Sequence, residues 1–395
     1  MKRAHALGYL LICLSLSAFL VLSFELFLVT ESIINNRIKE NEINAIRSFA
    51  FDDKYTSEEL REMRPLVGDH LKYRPWVQFG NYDHSNKYSV VQNGVRKTTT
   101  DQACTGLTFN AWFFGGSTMY GVGVPWWDSI PSQFVQHAKN RGFCVNATNY
   151  GVPYFYSTQE AVYLYIELIR VRETPHFVIF LDGLNEFALP GSSIKVEPFF
   201  TPVLDEAIPY GPTIEMNSVG PGLFERFATY RFIREKLLRP GEVEPASQRN
   251  YTIPNMAGIS QHDSIDNAAK EIVNNYISTR TLLRSICTVQ KIRCVQFLQP
   301  IAIKDYRPPA SDILTESFRK ADGRLYLKGY KSLVEQSLAD NPAITSINYG
   351  ISFFDISDTL GKYQGIAYVD SIHYSPRAID VISKRMVDII FSRAY

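Results

Sequence analysis

Apolar residues recur along this chain in three textures. Leu7 to Phe24 is eighteen residues without a charge, and Leu7 to Val29 is twenty-three with only Glu25 interrupting. At roughly 1.5 Å per residue, either run can cross a hydrocarbon core of about 30 Å. The second texture is polar and turn-rich. Residues 31–50, with Ile33, Ile34, Ile38, Ile43 and Ile46 among charged and Asn positions, read as a helical stalk. Thr56 to Met63 reads as a short helix stopped by Pro65, and Asn93-Gly94 as a hairpin turn within 66–105, a stretch whose role is opaque.

The third texture, from residue 106, alternates strands with helices. Strands are predicted at Thr108–Phe114, Phe143–Ala147, His176–Leu181, Cys294–Leu298 and Ser352–Ile356. Ser129–Arg141 is predicted as a helix, and Ser157-Thr158-Gln159-Glu160 has the form of a capping box opening another. Ile265, Ala269, Ile272, Tyr276, Leu283 and Ile286 fall at the three-and-four spacing of a long helix. Ser375-Pro376 is an N-cap followed by proline at the first helical position, opening a last helix with Ile379, Ile382, Met386 and Ile389 inward. This alternation predicts a parallel sheet covered on both faces. Residues 187–264 break the rhythm with nine of the chain's twenty prolines and one predicted helix, Glu225–Leu238. They read as a lid or inserted subdomain. The expected organisation is an anchor over 1–30, a stalk and extension over 31–105, and one α/β domain over 106–395 interrupted by that insert.

Composition narrows the function. Forty-one Lys+Arg against forty Asp+Glu leave a formal charge of +1, which supplies no electrostatic footprint for nucleic acid. Lys2 and Arg3 before the apolar run place the amino terminus in the cytoplasm and everything after Thr30 on the exoplasmic side. The run outlasts the h-region of a cleaved signal peptide and continues Phe19-Leu20-Val21-Leu22 after Ser17-Ala18, so it reads as an uncleaved signal anchor. Cys104, Cys144, Cys287 and Cys294 are then exported, as two disulfides or as four buried thiols. No metal-ligand spacing and no cofactor fingerprint is present.

In an open α/β sheet, chemistry gathers beyond the carboxyl ends of the strands. There the chain carries Gly115-Gly116-Ser117-Thr118, Asn149-Tyr150-Gly151 and Asp182-Gly183-Leu184-Asn185-Glu186, with Asp370-Ser371-Ile372-His373 before the last helix. Each alone is a turn or a cap. Together they supply the parts of ester hydrolysis: a hydroxyl nucleophile, an imidazole base, a carboxylate to orient it, and donors for an oxyanion. The Gly-x-Ser-x-Gly elbow is absent, which argues against the ordinary α/β-hydrolase family.

The four blocks in this order resemble the SGNH (GDSL-like) hydrolases, in the variant of membrane-anchored, exopolysaccharide-associated members. The resemblance covers roughly 106–186 and 265–391. It implies a flavodoxin-like three-layer α/β/α sandwich. Ser117 would be the nucleophile, and its own N–H, the Gly151 N–H and the Asn185 amide the oxyanion donors. His373 would be the base and Asp370 its orienting partner. Gly116 stands where the namesake Gly-Asp-Ser-Leu has Asp, and Glu186 where the family's usual Gly-x-Asn-Asp block ends in Asp. The function expected is a membrane-anchored serine esterase removing acyl groups, above all O-acetyl, from a carbohydrate polymer beside polysaccharide export or synthesis machinery. The alternatives are an acyltransferase working through the same acyl-enzyme, and a non-catalytic glycan-binding subunit that has kept the fold.

Overall fold

The computed structural model describes residues 71–100, 108–171, 173–188, 262–307, 323–339 and 349–392, with short pieces between 22 and 63 and single positions at 309 and 315. The chain divides into two compact units, 1–44 with 210–251, and 45–209 with 252–395. In the first, 22–27 and 29–31 are described and helical. Most of the predicted anchor and stalk, Cys104 and the Glu225–Leu238 helix lie outside the described residues. Among the described residues no helix is long and apolar enough to cross a membrane.

The second unit carries the sheet. Its strands are β1 (Leu71–Arg74), β2 (Gln78–Asn81), β3 (His84–Ser85), β4 (Val90–Gln92), β5 (Val95–Arg96), β6 (Thr108–Gly115), β7 (Cys144–Asn149), β8 (Phe177–Asp182), β9 (Arg293–Leu298) and β10 (Gly350–Asp355). Its helices are α1 (Ser117–Tyr120), α2 (Ile130–Asn140), α3 (Ser157–Arg170), α4 (Leu184–Ala188), α5 (His262–Val289), α6 (Arg324–Ala339) and α7 (Pro376–Ser392). β1 and β2 form a separate antiparallel hairpin. The other eight strands lie in the order β10-β9-β8-β6-β7-β5-β4-β3.

The five strands from β7 to β10 are mutually parallel. Counted in chain order, they run 2-1-3-4-5, the flavodoxin-like order, which reverses between β6 and β8. Strand periodicity of two then sorts the core. Phe109, Ala111 and Phe113 of β6 and Phe177, Ile179 and Leu181 of β8 share a cluster with Phe134 and Val135 of α2 and Ile379, Ile382 and Met386 of α7. The alternate residues Trp112, Phe114, Val178 and Phe180 pack with Tyr163 and Leu164 of α3 and Leu283 and Cys287 of α5. Helices thus cover both faces, as the apolar runs predict.

The remaining three strands make the sheet mixed. β3, β4 and β5 are antiparallel and join it through Arg96 opposite Asn149 of β7. Asn93 and Gly94, both at positive φ (54° and 77°), close the predicted turn between β4 and β5. A boundary at residue 105 therefore cuts across the sheet.

Ser157 to Glu160 forms no capping box. Tyr156 is the N-cap and no side chain caps the helix. The Ser157 N–H donates instead to Glu186 Oε1 (2.9 Å), and Glu160 is turned into the core. The reciprocal arrangement occurs upstream, where Thr56 N donates to Glu59 Oε2 (2.9 Å) and Glu59 N to Thr56 Oγ1 (3.3 Å). Cys287 and Cys294 form a disulfide between α5 and β9, and Cys144 is also disulfide-bonded.

Candidate active site

Ser117 opens α1 one residue after β6 turns out of the sheet, beside the point where strand order reverses. The turn is made by Gly116, and a side chain there has no room. A Cβ on Gly116 would lie 2.3 Å from Asn185 Nδ2 and 3.0 Å from Phe155 O. The Asn185 amide thus lies directly against the residue before Ser117, on the short helix α4 that follows β8. It donates one proton to Phe155 O (2.6 Å), which fixes its plane and leaves a second N–H.

Gly151 takes a different post from the one expected. Its N–H donates to Asn149 Oδ1 (2.9 Å) inside its own turn, so it is not aimed at an oxyanion. The Asn149 amide group in turn donates to Met119 O (3.2 Å) and Tyr120 O (3.4 Å), the last carbonyls of α1. Gly151 is required for close approach, because a Cβ there would fall 2.4 Å from Tyr120 N. The Asn-Tyr-Gly turn therefore braces the helix that Ser117 opens. Tyr154, three residues on, holds a positive φ of 70°, uncommon for a bulky side chain.

The segment of opaque role braces the same helix from another side. Buried Arg96 of β5 donates through Nη1 to Tyr120 O and Gly121 O and through Nη2 to Val124 O (2.7 Å). These acceptors include the carboxyl end of α1, where a cation is favourable. Asn81 of β2 donates to Gly151 O (3.0 Å) and Gly94 O (3.2 Å), tying the hairpin to the Asn-Tyr-Gly turn.

His373 and Asp370 meet directly. His373 Nδ1 lies 2.7 Å from Asp370 Oδ2, while Asp370 Oδ1 accepts the backbone N–H groups of His373 (2.8 Å) and Ile372 (3.0 Å). The carboxylate is thus held by its own loop before it holds the ring. The loop is closed by an antiparallel bridge between Tyr368 and Tyr374 and by Val369 N donating to His373 O (2.8 Å). His373 is buried, and its Nε2 has no hydrogen-bond partner among the described residues. An imidazole with Nδ1–H donated to a carboxylate presents Nε2 as an acceptor, the tautomer a general base needs.

Beneath the Asn185 turn lies a feature absent from the sequence reading: three buried carboxyls, Glu160, Asp182 and Glu186. Glu186 accepts the N–H groups of Gly183 (2.8 Å) and Ser157 (2.9 Å), so it pins the turn to the start of α3. Asp182 Oδ2 accepts Tyr276 OH (3.0 Å) and Gln296 Nε2 (3.2 Å). Burial, then the charge of Asp182, pushes Glu160 well above the carboxylate range. Burial, then the charge of Glu186, raises Asp182 to about 7. A buried acid produces no periodic signal, so only the Asp182 and Glu186 letters of the third block hinted at this cluster.

No family model and no curated protein matches the chain. Among solved structures, the likeness is to lipolytic and esterase proteins. A member of the lipolytic protein G-D-S-L family from Veillonella parvula is 11% identical over 73% of this chain and 100% of that one, with a TM-score of 0.36. The acetyl xylan esterase AlAXEase is 12% identical over 71% and 100%, with a TM-score of 0.34. A Clostridium thermocellum family 3 carbohydrate esterase is 10% identical over 73% and 100%, also at 0.34. At such values the likeness bears on none of the site's chemistry, which rests on the residues of this chain.

Proposed function

We propose that this protein is a serine esterase. The observation that carries the reading is the His373–Asp370 pair, with Nδ1 engaged at 2.7 Å and Nε2 buried without a partner among the described residues; Tyr374, next to His373, and Thr118, next to Ser117, both reach Gln299 Oε1. In the reaction, His373 Nε2 takes the Ser117 hydroxyl proton as Oγ bonds to the ester carbonyl carbon. The developing oxyanion is met by the Ser117 N–H and the second N–H of Asn185. Collapse breaks the ester bond, and the departing alcohol takes the proton from His373. Water, deprotonated by the same Nε2, then releases the acid and regenerates Ser117. Gly151 is left out of this donor set, because its N–H is already donated to Asn149.

The substrate is an acyl ester, taken as O-acetyl, on a carbohydrate polymer. A formal charge of +1 suits a neutral polymer. The site works on the exoplasmic side, tethered by the apolar run at Leu7–Val29. The Cys287–Cys294 disulfide, which persists in oxidising compartments, supports that location. The test is hydrolysis of p-nitrophenyl acetate by the full-length chain, with the activity lost in Ser117→Ala.

A further inference from the structure

Ser117 and His373 are carried by elements with little rigidity of their own. α1 is four residues long, and His373 stands on an irregular loop closed mainly by bonds within itself. More than two hundred and fifty residues separate them in sequence. Their immediate neighbours nonetheless meet at one atom. Thr118, the residue after Ser117, donates its hydroxyl to Gln299 Oε1 (2.7 Å). Tyr374, the residue after His373, places its hydroxyl 3.3 Å from the same Oε1, sharing its proton with Pro300 O at 2.6 Å.

Gln299 is well placed to be the fixed point. It directly follows β9, a central parallel strand, and its own N–H donates to Asp182 O (2.9 Å) at the end of β8. Its side chain is buried, as are those of Thr118 and Tyr374. A carboxamide oxygen has two lone pairs and no charge, so it can receive both hydroxyls without bringing a further anion near the buried carboxyls. An apolar side chain of the same length would leave Thr118 without this acceptor and Tyr374 on Pro300 O alone, so nothing would tie the two neighbours to a common atom.

We infer that Gln299 is a positioning residue of this site, clasping the helix of Ser117 and the loop of His373 to one carboxamide oxygen. The inference rests on the esterase reading above. A displacement of about 1 Å between nucleophile and base costs on the order of 10²-fold in rate. Gln299→Met in the full-length chain should therefore lower kcat by roughly 10- to 100-fold and leave KM within about twofold.

The readout is kcat on p-nitrophenyl acetate, paired with the rate and end-point of fluorophosphonate labelling of Ser117. The clasp predicts slower labelling that still reaches one label per chain, whereas a merely unfolded fraction lowers the end-point. Thr118→Val, which removes one donor and keeps the shape, should cost a similar factor. The double variant should be no worse than either single one, and Thr118→Ser should recover rate relative to Thr118→Val. The inference is overturned if Gln299→Met turns over at the wild-type rate per labelled site, or if the two losses multiply. Should Gln299→Met fail to fold, the comparison of Thr118→Val with Thr118→Ser decides the matter alone. A wild-type chain that neither hydrolyses the ester nor labels at Ser117 sinks the esterase reading as well. An active wild type beside an unaffected Gln299→Met sinks the clasp only.

Discussion

Replacing Asp370 by asparagine separates the orientation of the His373 ring from the fold of its loop. In the native loop Oδ1 accepts two backbone N–H groups at 2.8 and 3.0 Å, and Oδ2 accepts Nδ1–H at 2.7 Å. An asparagine amide can offer its oxygen to only one of these sides. Turning its NH2 toward the backbone would leave both N–H groups facing a donor, at about 1–3 kcal/mol each. The oxygen therefore stays on the backbone and the NH2 faces the ring. Nδ1 must then accept, the ring proton moves to Nε2, and Nε2 cannot take the proton from Ser117. The same exchange in a serine protease triad lowers kcat by about 10⁴, equivalent to roughly 5 kcal/mol, and that is the loss expected here. Stability should barely change, because both backbone bonds persist. Asp370→Ala loses the ring contact and both backbone bonds. At about 1 kcal/mol for each backbone bond, it should lower Tm by roughly 3 °C as well. Hydrolysis of p-nitrophenyl acetate gives kcat, and a thermal melt gives Tm. An Asp370→Asn protein within tenfold of wild type, or one losing as much Tm as Asp370→Ala, would refute the reasoning.

Two further expectations follow from the same geometry. Gly116→Ala puts a Cβ 2.3 Å from Asn185 Nδ2, so the amide must leave its post, and kcat should fall by about 10²–10³ with the fold retained. Asn185→Ala should cost as much, and combining the two should cost little more; multiplying losses would show that the amide is not the shared target. The buried carboxyls set the pH dependence of stability. Asp182 is raised from 3.8 to about 7, so the folded chain binds more protons than the unfolded one between these values. Stability from this group is full below about 4 and is lost as pH rises through 7. Tm should thus fall between pH 5 and pH 8, and Asp182→Asn should flatten that slope; an unchanged slope in the variant would count against the cluster.

What the sequence revealed and what it hid divide along physical lines. The runs of β6 and β8 were legible because strands covered on both faces are continuously apolar, and α5 and α7 because one face of each is aliphatic at helical spacing. α6 escaped because its buried stripe, though at helical spacing, passes through Gly329 and Ser337, which give no apolar signal. β3 and β5 are two residues long, too short for alternation to register. Ser157-Thr158-Gln159-Glu160 matched a capping box locally, but burial against Asp182 drew Glu160 inward and Glu186 drew the Ser157 N–H. The turn at Gly151 was located correctly and its hydrogen bond was not, since Asn149 two residues back takes that N–H. Ser117, Asn185, Asp370 and His373 stood out as candidates because ester chemistry needs their groups in one place. Gln299, a buried amide after a strand, has no such signature.

The central claim is that Ser117 is a nucleophile activated by His373. Labelling the full-length chain with a fluorophosphonate and mapping the adduct by mass spectrometry tests it most directly. One adduct per chain on Ser117, absent from Ser117→Ala and much slowed in His373→Ala, is the result predicted. A folded wild-type chain that takes no label at Ser117, or labels equally fast without His373, would contradict it.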